Sequence, residues 1–391
     1  MINLPPLVRG KDPKDTTIVV AMSGGVDSSV VAALLKQQGY KVIGITLQLW
    51  DYSPTEEGEV NKKMGTCCAL DDVYDARRVC QTMGIDHYVL NYESDFKKAV
   101  IDDFVDTYSA GATPVPCVRC NERIKFDALL EKSKQLGADG LATGHYVQKI
   151  WNDDLGKYTL LRGKEDIKDQ SYFLFTTRQD QLDYTVYPLG AVENKDITRE
   201  LAQELGLHVS KKPDSQDICF VPNGDYRKIV KKENPSAFVE GNFVNNDGKV
   251  LGTHNGIINF TVGQRKGLGI TLGVPTYVVE IRPGKNEVVL GSKEELKVRE
   301  FNFKDLSWIG EEIPAEGLEC EVRVRNGHAP IKCSLKLTGV KTGTVELFSP
   351  EAMVAPGQAA VFYDDRRMLG GGWILNDTTK VKLSNVKIAI D

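Results

Sequence analysis

The sequence predicts an α/β protein: a doubly wound parallel sheet followed by two small β-rich domains, the last of them a β-barrel. Three observations carry this. The first half alternates strand-like and helix-like segments, as parallel strands joined by crossover helices do. From about residue 210 the pattern turns to short β-rich runs separated by Gly, Pro and Asn-Gly turns, which suits small barrels. The 391 residues exceed one ordinary core and call for two or three domains. We expect boundaries at 1–212, 213–297 and 298–391.

The elements follow in order. Thr17–Ala21 (TIVVA) is a buried strand, and 28–38 a helix stopped by Gly39. Residues 41–49 form the next strand, and 71–83 an amphipathic helix with Val73, Ala76, Val79, Cys80 and Met83 on one face. A strand at 87–91, helices at 94–109 and 121–135, and a short strand at 140–143 complete the alternation. The later β runs are 256–262, 276–281, 287–290, 318–325, 331–337, 343–348, 359–363 and 381–390. Residues 51–63, acidic and containing Gly and Pro, read as a surface loop.

Composition is that of a globular protein, 41% hydrophobic and 26% charged. No apolar run is long enough to cross a bilayer, and the first fifteen residues lack a signal-peptide core, so a cytoplasmic protein is expected. The net charge of −5 does not argue for nucleic-acid binding, yet a sum hides local clusters. Three cations lie within 162–168, four within 227–232, and Arg265-Lys266 sit in a Gly-rich loop. Each also reads as a solvated face. Eight cysteines are too few for a disulfide scaffold in so long a chain.

Between the first strand and helix stands Ser23-Gly24-Gly25-Val26-Asp27-Ser28. Glycines let backbone N–H groups turn toward a phosphate, and the helix N-terminus adds its own donors and dipole. Ser23, Ser28 and Ser29 offer hydroxyls, and Asp27 offers a magnesium ligand. This spelling resembles the pyrophosphatase-loop family, whose members split ATP between the α and β phosphates.

Cys117 and Cys120 follow the stiff stretch 111–116 and precede the helix expected from Asn121. A thiol at a helix N-terminus ionises more readily, and Arg119 and Arg123 act in the same sense. Cys219 follows another cationic stretch. Structural zinc, a redox CxxC pair, and a sulfur-handling site joining Cys117 or Cys120 to Cys219 compete. A zinc ribbon needs a second Cys/His pair at metal spacing, where Cys219 stands alone. With no thioredoxin-like context and an ATP loop upstream, the sulfur-handling site is favoured. Cys80, Cys320 and Cys333 read as small core residues, while Cys67-Cys68 reads as a substrate-loop element or as buried structure.

Taken together, AMSGGVDSSV (21–30), GTCCALDDVYDARRVC (65–80), TPVPCVRCNERIKFDALL (113–130), LATGHYV (141–147), KDQSYFLF (168–175), KKPDSQDICFV (211–221), FTVGQRKGLGI (260–270) and APGQAAVFYD (355–364) resemble the tRNA-specific 2-thiouridylases over nearly the whole chain. The resemblance implies an adenine nucleotide α-hydrolase-like first domain. It also implies a reaction in which ATP adenylates the C2 oxygen of the wobble uridine and persulfide sulfur replaces it. By that resemblance the nucleophile falls on Cys120 and the persulfide-carrying thiol on Cys219. ATP contacts fall on Ala21, Met22, Ser23, Gly24, Gly25, Val26, Asp27, Ser28, Leu47 and Gly144. Contacts with the flipped base fall on Val115, Pro116 and Cys117, and contacts with tRNA on His145, Lys168, Asp169, Gln170, Arg325, Asn326 and Gln358. The expected partners are tRNA and a persulfide-relay protein, with ATP and magnesium as cofactors and no membrane. A disulfide bond is among the implied features.

Flipping suits this chemistry, because a stacked uridine cannot reach both ATP and a cysteine. An anticodon loop yields a base at low cost. Cys117 and Val115 depart from much of the family, which has an acidic residue and an asparagine there. That removes an acid/base group and raises an alternative in which Cys117, Cys120 and Cys219 hold an iron–sulfur cluster whose open iron carries sulfide. Two rival readings are an amidotransferase or small-molecule ligase of the same loop family, and a non-catalytic RNA-binding or sulfur-carrier protein. His145 also reads as a capping histidine, residues 264–269 as a turn contacting RNA or another domain, and Trp308, Phe348, Phe362 and Tyr363 as barrel core.

Overall fold

A computed structural model describes residues 6–50, 70–214, 218–221, 224–376 and 379–380. The chain falls into two compact units, one of residues 1–102, 116–226 and 366–368, the other of 103–115, 227–365 and 369–391.

The first unit contains strands β1 (Thr17–Ala21), β2 (Lys41–Gln48), β3 (Asp86–Asn91), β4 (Gly140–Ala142), β5 (Val147–Asn152), β6 (Lys157–Arg162) and β7 (Thr185–Val186). Five of them form one parallel sheet in the order β3-β2-β1-β4-β7. Helix α1 (Val26–Gln37) buries Val30, Val31, Leu34 and Leu35 and ends before Gly39, whose φ of +88° suits a residue without Cβ. Helix α2 (Leu70–Met83) adds Ala76, Val79 and Cys80 to the same apolar core. Because β2 lies on one side of β1 and β4 on the other, the strand order reverses between β1 and β4. Open α/β sheets bind ligands at such a switch point, beyond the carboxyl ends of the strands.

Two further helices, α3 (93–109) and α4 (116–135), contain π-wound stretches at Lys97–Ile101 and Cys120–Leu129. A π-wound turn leaves carbonyls in need of new partners, and side chains supply them. Arg123 donates to the Ala99 carbonyl at 2.8 Å, and Gln181 to that of Phe126 at 3.0 Å. Helix α4 starts at Pro116, not near Asn121, because proline needs no hydrogen bond at the first helical position and its φ is already helical. The β5–β6 hairpin, which the strand pattern of the sequence does not announce, turns at Gly156 with φ +61°. Helices α5 (Gln179–Tyr184) and α6 (Lys195–Glu204) complete this unit.

In the second unit, helix α7 (Tyr226–Glu233, shared at its first residue with the first unit) leads into a four-stranded sheet. Its strands are β8 (Gly241–Val244), β9 (Val250–His254), β10 (Tyr277–Arg282) and β11 (Glu287–Gly291), in the order β10-β11-β8-β9. The strand expected at 256–262 is instead a short 3-10 turn, Ile257–Asn259, because Gly256 turns the chain with φ +109°. Strands β12 (Val298–Trp308), β13 (Leu318–Arg323), β14 (Ile331–Gly339), β15 (Thr342–Glu351), β16 (Ala359–Asp364) and β17 (Arg367–Ile374) close into an antiparallel barrel, β17 pairing back to β12. Phe301, Phe303, Val345, Leu347 and Phe362 fill it. Gly343 and Gly372 make room for Phe303, since a Cβ on either would stand 2.6 Å from its ring.

Phe362 and Tyr363 are core as expected and Trp308 is half-buried, but Phe348 is 50% exposed on the outer face of β15. Cys80 and Cys333 are buried, and Cys320 lies across the strand pair from Cys333 with the sulfurs 3.7 Å apart. Burial pushes the Cys80 thiol up to about 12. Cys67-Cys68, the loop 51–63 and the strand expected at 381–390 lie outside the described residues.

Candidate functional site

The loop Ser23–Ser28 stands at the carboxyl end of β1, as the sequence requires. Gly24 has φ +71°, and a Cβ there would fall 2.1 Å from the Asp72 carbonyl oxygen at the start of α2. Only glycine fits. The hydroxyl of Ser28 accepts the Ser23 N–H at 3.1 Å, and Ser29 bonds the Gly25 carbonyl at 2.8 Å, so the loop is braced by its own hydrogen bonds. The Met22 N–H donates to Ile45 at 2.8 Å, and Ala21 ends β1. Val26 is buried as the first residue of α1, and Leu47 is buried near the end of β2.

Beyond β4, Gly144 packs on α1: a Cβ there would be 2.9 Å from the Cβ of Asp27 and 3.1 Å from the Ser28 nitrogen. The structure thus brings Ser23–Ser28 and Gly144 together at the switch point. His145 is half-buried, with Nδ1 2.8 Å from Thr143 Oγ1 and its ring beside Phe126 and Tyr187. Burial, and then the charge of Lys125, hold it well below the ordinary histidine value. It is therefore a neutral ring at pH 7.

Asp27 is not open as expected. Its Oδ1 accepts the Tyr146 hydroxyl at 2.7 Å and the ammonium of Lys195. Lys195 also lies 3.3 Å from Asp214, which is bound in turn by Arg199 at 2.7 Å and Lys168 at 3.0 Å. Lys212 bonds Asp72, Asp75 and, at 3.0 Å, the Gly24 carbonyl. Burial acts to raise Asp75, but hydrogen bonds from Lys212 and His208 outweigh it and hold the carboxyl below its usual value. Sequence reading missed Tyr146, Lys195, Arg199 and Asp214 as parts of this site. Their one local signal is a lysine at the first turn of an Asn-capped helix, and their partners are far away in sequence.

Cys117 is exposed at the second helical position of α4, and Cys120 is half-buried at the fifth. The helix-end argument made for both thiols therefore applies to Cys117, because the end charge fades within a turn. Asn121 fixes this stretch, donating to the Phe173 carbonyl at 3.1 Å and accepting from Lys125 at 3.0 Å. Cys219 is half-buried, and its neighbour Phe220 packs edge-on against Phe96 of α3 with ring centroids 5.7 Å apart. Helix α3 itself packs on α4, so both cysteine-bearing segments converge on one helix. Among the described residues, no group of three or more His, Cys, Asp or Glu side chains is placed to hold a metal ion. Cys117, Cys120 and Cys219 therefore do not fit a cluster.

The remaining residues divide. Asp169 is buried and accepts from the Gly163 and Ser171 N–H groups and the Ser171 hydroxyl at 2.9–3.1 Å, an internal anchor for its loop. Gln170 accepts the Tyr146 N–H at 3.0 Å. In the second unit Arg325 and Asn326 occupy the turn after β13, Asn326 exposed. Gln358 is buried and donates to the Thr113 carbonyl at 3.1 Å, while the Thr113 N–H donates to Pro356 at 2.8 Å. Thr113 is thus clamped three residues before Pro116, with Val115 half-buried between them and Pro116 buried.

Family models described as "tRNA methyl transferase HUP domain", "tRNA methyl transferase PRC-barrel domain" and "Aminomethyltransferase beta-barrel domain" match residues 16–223, 227–292 and 298–374. The chain is 52% identical to the tRNA-specific 2-thiouridylase MnmA of Maricaulis maris over 94% of its length and 90% of that protein's. It is 51% identical to the protein of the same name from Rickettsia bellii, over 93% of this chain and 97% of that one. Among solved structures, a 4-thiouridine synthetase in an RNA complex with bound ATP matches 56% of this chain and 50% of its own at 16% identity, with a TM-score of 0.33, too slight a likeness to add to this. With half the residues shared along nearly the full length, the chain belongs to the family of tRNA-specific 2-thiouridylases.

Proposed function

We propose that this protein is a tRNA-uridine 2-sulfurtransferase that uses ATP to replace the C2 oxygen of the wobble uridine with sulfur. The observation that carries this reading is the Ser23–Ser28 loop, braced by its own hydrogen bonds and packed against Gly144 at the switch point. Family membership supplies the substrate class.

In this reading the backbone donors of Ser23–Ser28 and the start of α1 take the phosphates of ATP. The uridine O2 attacks the α-phosphate, pyrophosphate leaves, and C2 acquires AMP as its leaving group. The terminal sulfur of a Cys219 persulfide attacks C2 and AMP departs with the oxygen. The Cys120 thiolate then attacks the Cys219 sulfur, releasing 2-thiouridine and leaving a disulfide that an external thiol reduces. A persulfide-relay protein supplies the sulfur. Magnesium would accompany the phosphates, but Asp27, the loop's one carboxylate, already holds Tyr146 and Lys195. It fits poorly as a dedicated ligand.

Val115, with Pro116 and Cys117 of the first turn of α4, receives the extruded base just after the Thr113 clamp. His145, Lys168 and Gln170 face the RNA from the first domain (1–212), with Asp169 bracing their loop. The central (213–297) and C-terminal (298–391) domains hold the tRNA body, with Arg325 and Asn326 touching it and Gln358 acting through Thr113. Arg227, Lys228, Lys231 and Lys232 are exposed on one face of α7, opposite the buried Ile229 and Val230, and supply phosphate contacts. Among the described residues no helix is long and apolar enough to cross a membrane.

Nucleoside mass analysis of tRNA incubated with the protein, ATP and a sulfide source tests the proposal. 2-Thiouridine at the wobble position is expected. Pyrophosphate release without need of tRNA would point to a small-molecule ligase, and no release at all to a non-catalytic binder.

A further inference from the structure

Lys195 opens α6 directly after Asn194, whose side chain caps the helix by accepting the Ile197 N–H. Its own side chain is only 9% exposed, and its ammonium is shared between Asp27, on the loop helix, and Asp214. Asp214 lies five positions before Cys219. The same stretch is held elsewhere: Arg199 grips the Ser210 and Lys212 carbonyls at 3.1 and 2.8 Å, and Lys212 reaches the Gly24 carbonyl. One ammonium therefore joins the ATP loop to the segment that leads to Cys219.

A buried ammonium is retained only while its counter-charges stay in place, since losing one leaves a charge unpaired in a poor solvent. Phosphate arriving at Ser23–Ser28 brings a strong negative charge that repels the Asp27 carboxylate and competes with it for the Lys195 ammonium. Any shift of Asp27 changes the pairing of Lys195 and so the load on Asp214. Arg199 and Lys168 keep Asp214 compensated meanwhile, so a change at Lys195 alters its pairing without leaving an orphaned carboxylate.

We propose that Lys195 is a positioning residue that couples nucleotide occupancy of the ATP loop to the reactivity of Cys219. This rests on the reading that the loop takes ATP. It would keep the sulfur-bearing thiol in step with adenylation, so that persulfide is not spent on water or solvent thiols before an electrophile exists.

The test is the alkylation rate of Cys219 in the full chain, followed by peptide mass analysis with and without a non-hydrolysable ATP analogue and magnesium, with analogue binding measured on the same samples. In the unaltered protein the analogue should change the rate at least about fivefold. In Lys195→Met the ratio should fall to about one, and Lys195→Arg should restore part of it. If Lys195→Met does not fold, Asp214→Asn, which leaves the Lys195–Asp27 pair intact, decides the matter by the same ratio. An unchanged ratio in the folded variant, or a rate indifferent to bound analogue in the unaltered protein, overturns the proposal while the ATP reading stands. Absence of analogue binding overturns that reading, and the proposal with it.

Discussion

The backbone of Gly144 lies against the first turn of α1, so close that a Cβ built on it would stand 2.9 Å from the Cβ of Asp27. The neighbour is backbone and a short side chain, neither of which yields easily. Gly144→Ala should therefore reduce tRNA-dependent pyrophosphate release by about tenfold or more, equivalent to ~1.4 kcal/mol. Its melting temperature should fall by only a few degrees, an overpacking cost of roughly 1–3 kcal/mol. Full activity would show that the loop tolerates a wider crevice.

The two cysteines should separate by step. Cys219→Ser is expected to abolish 2-thiouridine while leaving tRNA-dependent pyrophosphate release measurable. Cys120→Ser should also stop product formation and leave adenylation intact. Equal loss of both steps in Cys219→Ser would make that residue structural.

Gln358 holds the Thr113 carbonyl, just ahead of the stretch proposed to receive the base. Gln358→Ala leaves the Thr113 carbonyl without its donor and should cost about 1–3 kcal/mol in a denaturant melt. Thiolation at saturating ATP should fall through a weaker apparent affinity for tRNA. An unchanged tRNA dependence would confine Gln358 to holding the barrel end.

His145 carries a pH signature. Its folded value is lowered, by burial first and by Lys125 second. Below about pH 6.5 the unfolded chain takes up a proton that the folded ring resists. Stability from this residue is thus complete above that pH and lost as pH falls toward the folded value. The melting temperature of His145→Gln should depend less on pH between about 7.5 and 5.5 than that of the unaltered protein. Some slope will persist, because burial also lowers His87 and His254. Identical slopes would place the ring in water.

The basic face of α7 predicts a salt effect. Replacing Lys228, Lys231 and Lys232 together by Gln should flatten the slope of log affinity for tRNA against log salt. The change should reach about 0.7–0.9 for each phosphate that the lysines no longer neutralise. Binding of ATP should not change. A slope that stays the same would return these lysines to a solvated face.

Sequence alone determined the parallel sheet, the ATP loop, the barrel and the family, because each rests on local rules. Alternating TIVVA-like runs with helical periodicity can only be buried as strands under helices. A Gly-Gly step after a strand has few uses other than close backbone approach, and Gly24 against Asp72 shows why. Local rules also misplaced the start of α4, where Pro116 outweighs the polar run that follows, and made a strand of 256–262, where Gly256 turns the chain. Only the tertiary structure decided which charges meet. Asp27 looked like an open metal ligand, yet it is matched to Lys195, 168 positions away, and to Tyr146. Asp169 looked like an RNA contact and is buried among backbone donors. A carboxylate's role depends on the donors that folding brings to it, and those donors leave no periodic trace in the chain.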